Sequence, residues 1–345
     1  MKKVIVVDDS AFMRKLLTDM FNDTPDFEVI DVAKNGLEAI SKIKANKPDL
    51  VTLDIEMPIM NGFDALKIIM RDTPVPVIVV SSLTQEGSEE TVKALVYGAV
   101  DFVTKNITDI NKVKDSILEK CRSAVSANIK ELGKKPHSLK PINVTLAAST
   151  AKAKTKEKFV AIGTSTGGPK ALAEVIPKLP GNLPCGVVIV QHMPAGFTRS
   201  LAERLNAASE IKVKEAENNE VIEKSTVYIT PGDFHIKFVP EGSNVLIKLS
   251  KEPPIGGHRP AVNPMFESAA AVYGPNCVAV LLTGMGQDGA TGMASVKMQK
   301  GYTIAENKDT AIVYGMPKAA AELGVVDQIS PLQEIADDIV KAVLK

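Results

Sequence analysis

No apolar run in this 345-residue sequence approaches the ~20 residues that a membrane-spanning helix needs. After Met1 the chain passes from Lys2 and Lys3 through a short apolar stretch to Asp8 and Asp9, too little for the hydrophobic region of a signal peptide. The expectation is a cytoplasmic protein without membrane insertion. Cysteine is scarce: Cys121, Cys185 and Cys277 are far apart, odd in number and form no Cys-x-x-Cys, which excludes a disulfide framework and fits buried thiols. Net charge is zero overall, and concentrated basic charge is missing from both ends of the chain. Residues 1–125 carry 16 basic against 20 acidic side chains, and residues 159–345 carry 17 against 19. A nucleic-acid-binding domain needs a basic face, so nucleic acid is not expected as a partner.

The composition, 45% hydrophobic and 24% charged, is that of an ordinary folded protein, and the length suits about two domains. Residues 1–125 alternate β-branched runs with amphipathic helical patterns, which predicts a five-stranded, doubly wound parallel sheet. The strands are expected at 3–7, 28–33, 49–54, 75–81 and 101–103. A final helix runs from Ile110, its apolar positions Ile110, Val113, Ile117, Cys121 and Val125 stepping by three or four. Residues 126–158 are rich in Lys, Thr, Ala and Ser, carry 8 basic against 2 acidic side chains, and read as an interdomain linker whose start extends the preceding helix through Leu132. From Phe159 to Lys345 a second α/β series begins, again doubly wound and mainly parallel. Val227–Ile229, and His235–Val239 with Val245–Leu249, alternate apolar and polar residues and predict an antiparallel hairpin region beside that sheet.

Chemistry-bearing residues fall at strand C-termini, where a doubly wound sheet places its ligands. Asp8 and Asp9 follow the first strand, Asp54 ends the third, Ser81 ends the fourth and Lys105 follows the fifth. Three carboxylates brought together repel unless a hard cation joins them, and Mg²⁺ takes oxygen ligands. Asp54 can then attack a phosphoryl group, with Lys105 neutralising its oxygens and the Ser81 hydroxyl bonding one of them. The segments VVDDS at 6–10, LDIEMPIMNG at 53–62, VSS at 80–82 and DFVTK at 101–105 resemble the response-regulator receiver family. That resemblance implies phosphorylation of Asp54 by a histidine kinase. It also implies Mg²⁺ held by Asp9, Asp54 and the Glu56 carbonyl, and a switch relayed by Ser81 and Phe102. Asn106 stands where many receivers have proline after the lysine.

In the second series FVAIGTSTGG at 159–168 is an apolar strand followed by Gly-x-Ser-x-Gly, a pattern that lifts Ser165 from a sharp strand-to-helix turn. Pro169 suits the first turn of the helix that follows. Of the four histidines only His192 directly follows an apolar strand, GVVIVQ; His137 lies in the linker, His235 in the hairpin pattern and His258 in the loop PPIGGHRP. Asp288 follows the strand ending near Leu282 and can orient the imidazole, so Ser165, His192 and Asp288 form a candidate nucleophile, base and orienting acid. Gly284, Gly286 and Gly289 also satisfy a dinucleotide fingerprint, with Glu306 as its acidic partner. Asp288 would place a negative charge inside that loop, against a pyrophosphate.

GTSTGG at 163–168, QHMPAGFTRS at 191–200, TPGDFH at 230–235, HRPAVN at 258–263 and LLTGMGQDGA at 281–290 resemble the chemotaxis protein-glutamate methylesterase family. The resemblance implies a Ser165–His192–Asp288 triad without a cofactor, oxyanion donors from the backbone N–H groups of Thr166 and Met285, and glutamyl methyl esters of chemoreceptors as substrates. Deamidation of receptor glutamines and an unphosphorylated receiver that covers the esterase crevice follow from the same resemblance. Two other readings stay open: a non-enzymatic response regulator, and a serine amidase for a small metabolite.

Overall fold

A computed structural model describes residues 1–82, 84–105, 110–133 and 157–345, in two compact units spanning residues 1–135 and 136–345. In the first unit β1 (Lys2–Val7), α1 (Ala11–Asn22), β2 (Phe27–Ala33), α2 (Gly36–Asn46), β3 (Leu50–Asp54), α3 (Gly62–Asp72), β4 (Val77–Ser81), α4 (Gln85–Val96), β5 (Asp101–Thr104) and α5 (Ile110–Val125) follow one another. The sheet order β2-β1-β3-β4-β5 is fully parallel and changes winding direction between β1 and β3. Ser10, Asn35, Asn61 and Thr84 start the first four helices, each side chain accepting the backbone N–H three residues on. Strands β3 and β4 are buried throughout, which explains why all but Thr52 and the terminal Asp54 and Ser81 are apolar.

Residues 126–133, expected at the start of the linker, group with the first unit. α5 stops at Val125 and a separate short helix, α6 (Ile129–Leu132), follows. Leu132 is buried and its carbonyl approaches Gly98, so residues 126–133 belong to the first unit. The rest of the expected linker to residue 156, and Asn106, lie outside the described residues.

In the second unit β6 (Phe159–Thr164), α7 (Gly168–Val175), β7 (Gly186–Gln191), α8 (Phe197–Ala208), β8 (Lys212–Glu215) and β9 (Thr226–Ile229) come first. The hairpin β10 (His235–Glu241) and β11 (Asn244–Ser250) follows, then α9 (Val262–Tyr273), β12 (Cys277–Leu281), α10 (Ala290–Met298), β13 (Tyr302–Glu306), α11 (Met316–Glu322), β14 (Gln328–Ser330) and α12 (Ile335–Leu344). The parallel sheet order is β14-β13-β12-β6-β7-β9-β8, so the chain enters at its middle and the winding reverses between β6 and β12. Val227–Ile229, expected in the hairpin region, instead pairs in parallel with β7 and β8 inside this sheet. Its four-residue strand is buried on both faces, and a strand so short carries too little pattern to distinguish the two settings.

Among the described residues no helix is long and apolar enough to cross a membrane. The three cysteines are free and buried, and burial pushes the thiols of Cys185 and Cys277 up to about 12. The hairpin packs on α9 through an aromatic cluster. Phe159 stacks on Tyr273 at 4.2 Å and meets Phe238 edge-on at 4.9 Å. Phe159→Ala removes the shared member of both pairs and is expected to cost about 3–5 kcal/mol. Denaturant unfolding that shows a loss under ~1 kcal/mol would contradict this packing account.

Candidate functional site

Ser165 leaves the C-terminus of β6 on a turn that two glycines make possible. Gly167 adopts φ +79°, a left-handed conformation that side chains resist. A Cβ on Gly168 would stand 1.9 Å from Oε1 of Gln191. That close approach lets Gln191 Nε2 donate to the Ser165 carbonyl at 3.0 Å. The other brace is Thr283, just past β12. Its carbonyl accepts the Ser165 N–H at 3.0 Å and the Thr164 hydroxyl at 2.9 Å, and its own hydroxyl donates to the Thr166 carbonyl at 2.9 Å. The Thr283 N–H donates to buried Glu306 at 2.8 Å, whose second oxygen accepts from Thr310 at 3.0 Å. Glu306 thus braces the elbow through Thr283 and is not placed to hold a dinucleotide.

His192 follows β7. Its Nδ1 lies 3.1 Å from Ser165 Oγ and its Nε2 lies 2.8 Å from Asp288 Oδ2. Asp288 also accepts backbone N–H groups from Val262 at 2.6 Å and Asn263 at 3.0 Å, in the first turn of α9. Burial alone would raise its pKa, but His192 and these two donors outweigh burial and hold the carboxyl below the usual range. An ionised Asp288 fixes the proton of His192 on Nε2, which leaves Nδ1 as the acceptor for the serine hydroxyl. The contacts to the serine and to the carboxylate therefore use the ring nitrogens in the reverse sense to the serine-protease arrangement. Thr166 follows Ser165 directly. Met285 follows Gly284, whose backbone abuts Ser165: a Cβ there would lie 2.9 Å from the serine Cβ. The Met285 N–H makes no hydrogen bond among the described residues.

In the first unit the carboxylates of Asp8, Asp9 and Asp54 each offer an oxygen, all within 4.8 Å of one another. Lys105 Nζ donates to Asp54 Oδ2 at 2.7 Å and lies 3.3 Å from Asp8 Oδ2. Burial pushes the Asp54 pKa up to about 6, with the charge of Asp8 adding to it, although Lys105 and the Glu56 N–H pull the other way. Asp8 Oδ2 is buried and its geometry to Lys105 makes no hydrogen bond. Crowded carboxylates, one with an unsatisfied oxygen, fit a hard divalent cation, which would neutralise phosphoryl charge there. Glu56 donates its N–H to Asp54 Oδ1 at 3.2 Å, while its side chain accepts from Ser82 at 3.0 Å. The Ser81 hydroxyl is turned towards α4, donating to the Gly87 carbonyl at 3.2 Å and accepting from Thr91 at 2.6 Å, and Phe102 is buried.

A profile of the CheB methylesterase matches residues 160–339, and one of the response regulator receiver domain matches residues 4–117. The chain belongs to the CheB methylesterase family. It is 47% identical to the protein-glutamate methylesterase/protein-glutamine glutaminase of Pyrococcus abyssi, covering 99% of this chain and 93% of that protein. It is 50% identical to the protein of the same name from Geobacillus kaustophilus, over 99% and 98%. The crystal structure of the Thermotoga maritima CheB methylesterase catalytic domain, 46% identical, superposes with a TM-score of 0.53 over 54% of this chain and 98% of that one. The α/β fold, with a receiver sheet preceding a CheB hydrolase sheet that carries a hairpin, is thereby the family's own.

Sequence reading missed Thr283, Gln191, Glu306 and the two N–H groups on Asp288. HRPAVN contains the latter donors, but a backbone N–H has no signature in side-chain text. One consequence of the carboxylate cluster is measurable. Asp54 is an acid whose folded pKa exceeds its unfolded value, so the first unit binds an extra proton between pH ~4 and 6 and loses stability as pH rises through that window. Without divalent cations, Asp54→Asn is expected to stabilise this unit at pH 7 by on the order of 1–2 kcal/mol and to flatten that slope. Unfolding curves of the full chain at pH 4 to 7, with and without the substitution, check both.

Proposed function

We propose that this chain is a phosphorylation-controlled protein-glutamate methylesterase in which Ser165 is the nucleophile, His192 the general base and Asp288 the orienting carboxylate. The continuous Ser165–His192–Asp288 hydrogen-bond path carries this reading. Ser165 Oγ attacks the glutamyl ester carbonyl as its proton passes to His192 Nδ1, and the backbone N–H groups of Thr166 and Met285 receive the oxyanion. Protonated His192 returns the proton to the departing methoxide, so methanol leaves and an acyl-serine remains. Water, deprotonated by His192, then hydrolyses the acyl group to a carboxylate. A side-chain glutamine follows the same path with ammonia as the leaving group, which agrees with the double name of the relatives. The proposed substrates are methylated or amidated glutamates of chemoreceptors.

In the receiver, Asp54 is the proposed acceptor of phosphate from a chemotaxis histidine kinase. Asp8, Asp9, Asp54 and the Glu56 carbonyl are the proposed holders of Mg²⁺, which neutralises phosphoryl oxygens when bound. Lys105 keeps its proton because its hydrogen bond to Asp54 and the negative charges of Asp54 and Asp8 outweigh burial, and it supplies the second positive charge. Ser81 and Phe102 are the proposed switch residues. Since the Ser81 hydroxyl bonds Gly87 and Thr91 here, its engagement by a phosphoryl group would require it to leave α4.

Methanol release from methylated receptor membranes tests the chemistry. Ser165→Ala should lower kcat by about 10⁶-fold and Asp288→Asn by about 10⁴-fold, while Asp54 still accepts phosphate in both. Turnover retained by the purified serine variant sinks the assignment. For control, a small acyl phosphate with Mg²⁺ should raise the wild-type rate by about 5- to 150-fold, the range of ordinary coupling between sites, and leave Asp54→Asn unchanged. Equal response of both proteins would remove Asp54 from the regulatory role.

A further inference from the structure

His258 is not part of the hydrogen-bonded relay, yet its ring lies flat on that of His192. The centroids are 3.9 Å apart and the planes 11° from parallel. The segment that carries it is built to hold that position. Ile255 and His258 exchange backbone hydrogen bonds of 3.0 Å in both directions across Gly256 and Gly257. Both glycines adopt positive φ, 58° and 83°, as a primed two-residue turn demands. Residues 251–257 are exposed, but the base of the strap is clamped. Buried His235 bonds the Pro253 carbonyl through Nε2 at 3.1 Å and accepts the Ala261 N–H on Nδ1 at 3.3 Å. Arg259 donates to the Lys251 and Glu252 carbonyls at 3.2 Å and to Asp233 at 2.8 Å. Directly after this clamp, Val262 and Asn263 donate to Asp288. One continuous stretch therefore fixes both the acid behind His192 and a plane against its face.

The torsion that turns an imidazole about its Cβ–Cγ bond is soft and broad. The two bonds of His192, to Ser165 from Nδ1 and to Asp288 from Nε2, require one ring plane, and rotation lifts both nitrogens out of it. A parallel ring at 3.9 Å opposes such rotation, because a tilted imidazole would drive an edge into its neighbour. It also offers a π face to the imidazolium that forms when His192 takes the serine proton. We propose that His258 is a positioning residue for the esterase reaction, holding the His192 ring in its reactive plane and stabilising its protonated form through the stack. This proposal rests on the reading of Ser165 and His192 as nucleophile and base.

The test uses the full chain and two readouts. One is kcat and KM for methanol release from methylated receptor membranes. The other is the rate at which an alkyl fluorophosphonate labels Ser165, which needs an activated serine but no receptor, with Ser165→Ala as the unlabelled control. If the wild type labels at Ser165 but releases no methanol, the substrate assignment fails while labelling still decides the role of His258. If it does not label, the nucleophile assignment itself fails. The expectation for His258→Ala is a fall of about tenfold in both kcat and labelling rate, with KM within about twofold. His258→Phe, which keeps a flat ring without hydrogen-bonding atoms, should restore both rates to within about threefold of wild type. Rates unchanged in the alanine variant, equal losses in the alanine and phenylalanine variants, or a rise in KM alone would each overturn the proposal. Should His258→Ala fail to fold, His258→Gln against His258→Phe decides in the same way.

Discussion

The second unit depends on how the end of β12 is tied to the end of β6. Thr283 uses its carbonyl, hydroxyl and N–H at once, holding Thr164, Ser165 and Thr166 on one side and Glu306 on the other. Parallel pairing of Gly163 with both Val190 and Leu281 sets the height of the three strand ends. His192 and Asp288 come within hydrogen-bond reach of Ser165 because the loops leave from that shared level. Buried polar groups tolerate such an arrangement only when nearly all are satisfied, and the few buried bonds beneath the elbow are the cost of presenting one hydroxyl at the surface of a sheet.

The two units treat a buried aspartate in opposite ways. Asp54 shares its crevice with Asp8, and its protonated form is favoured to about pH 6 despite a lysine at 2.7 Å. Asp288 is partly buried, yet two backbone N–H groups and an imidazole keep it ionised. The difference is the supply of donors around each carboxylate. One site is short of positive charge and is suited to recruiting it with a cation. The other is complete within the chain and can hold a neutral imidazole in one tautomer.

Much of this was legible in the sequence, since residues at neighbouring strand ends of a doubly wound sheet are brought into one crevice. Asp8, Asp9, Asp54 and Lys105 meet as expected, and so do Ser165, His192 and Asp288. What could not be read is partnership through the backbone or across faces. Val227–Ile229 alternates like a hairpin strand but is enclosed in the parallel sheet. Glu306 met the spacing of a dinucleotide fingerprint, yet it bonds Thr283 and Thr310, because spacing along the chain does not say which way a carboxylate turns. His258 sits in a glycine-rich loop, and the strap clamped by His235 and Arg259 carries its ring to His192.

The seven-stranded sheet closes at both margins with short strands that discourage additions. β8 reads KVKE, with lysines alternating along an exposed border, and β14 has three residues. Neither offers a long, apolar ladder of free amides to an incoming chain. A protein substrate would therefore be met by loops and side chains around the crevice, not by strand extension, so the substrate can keep whatever backbone structure it already has.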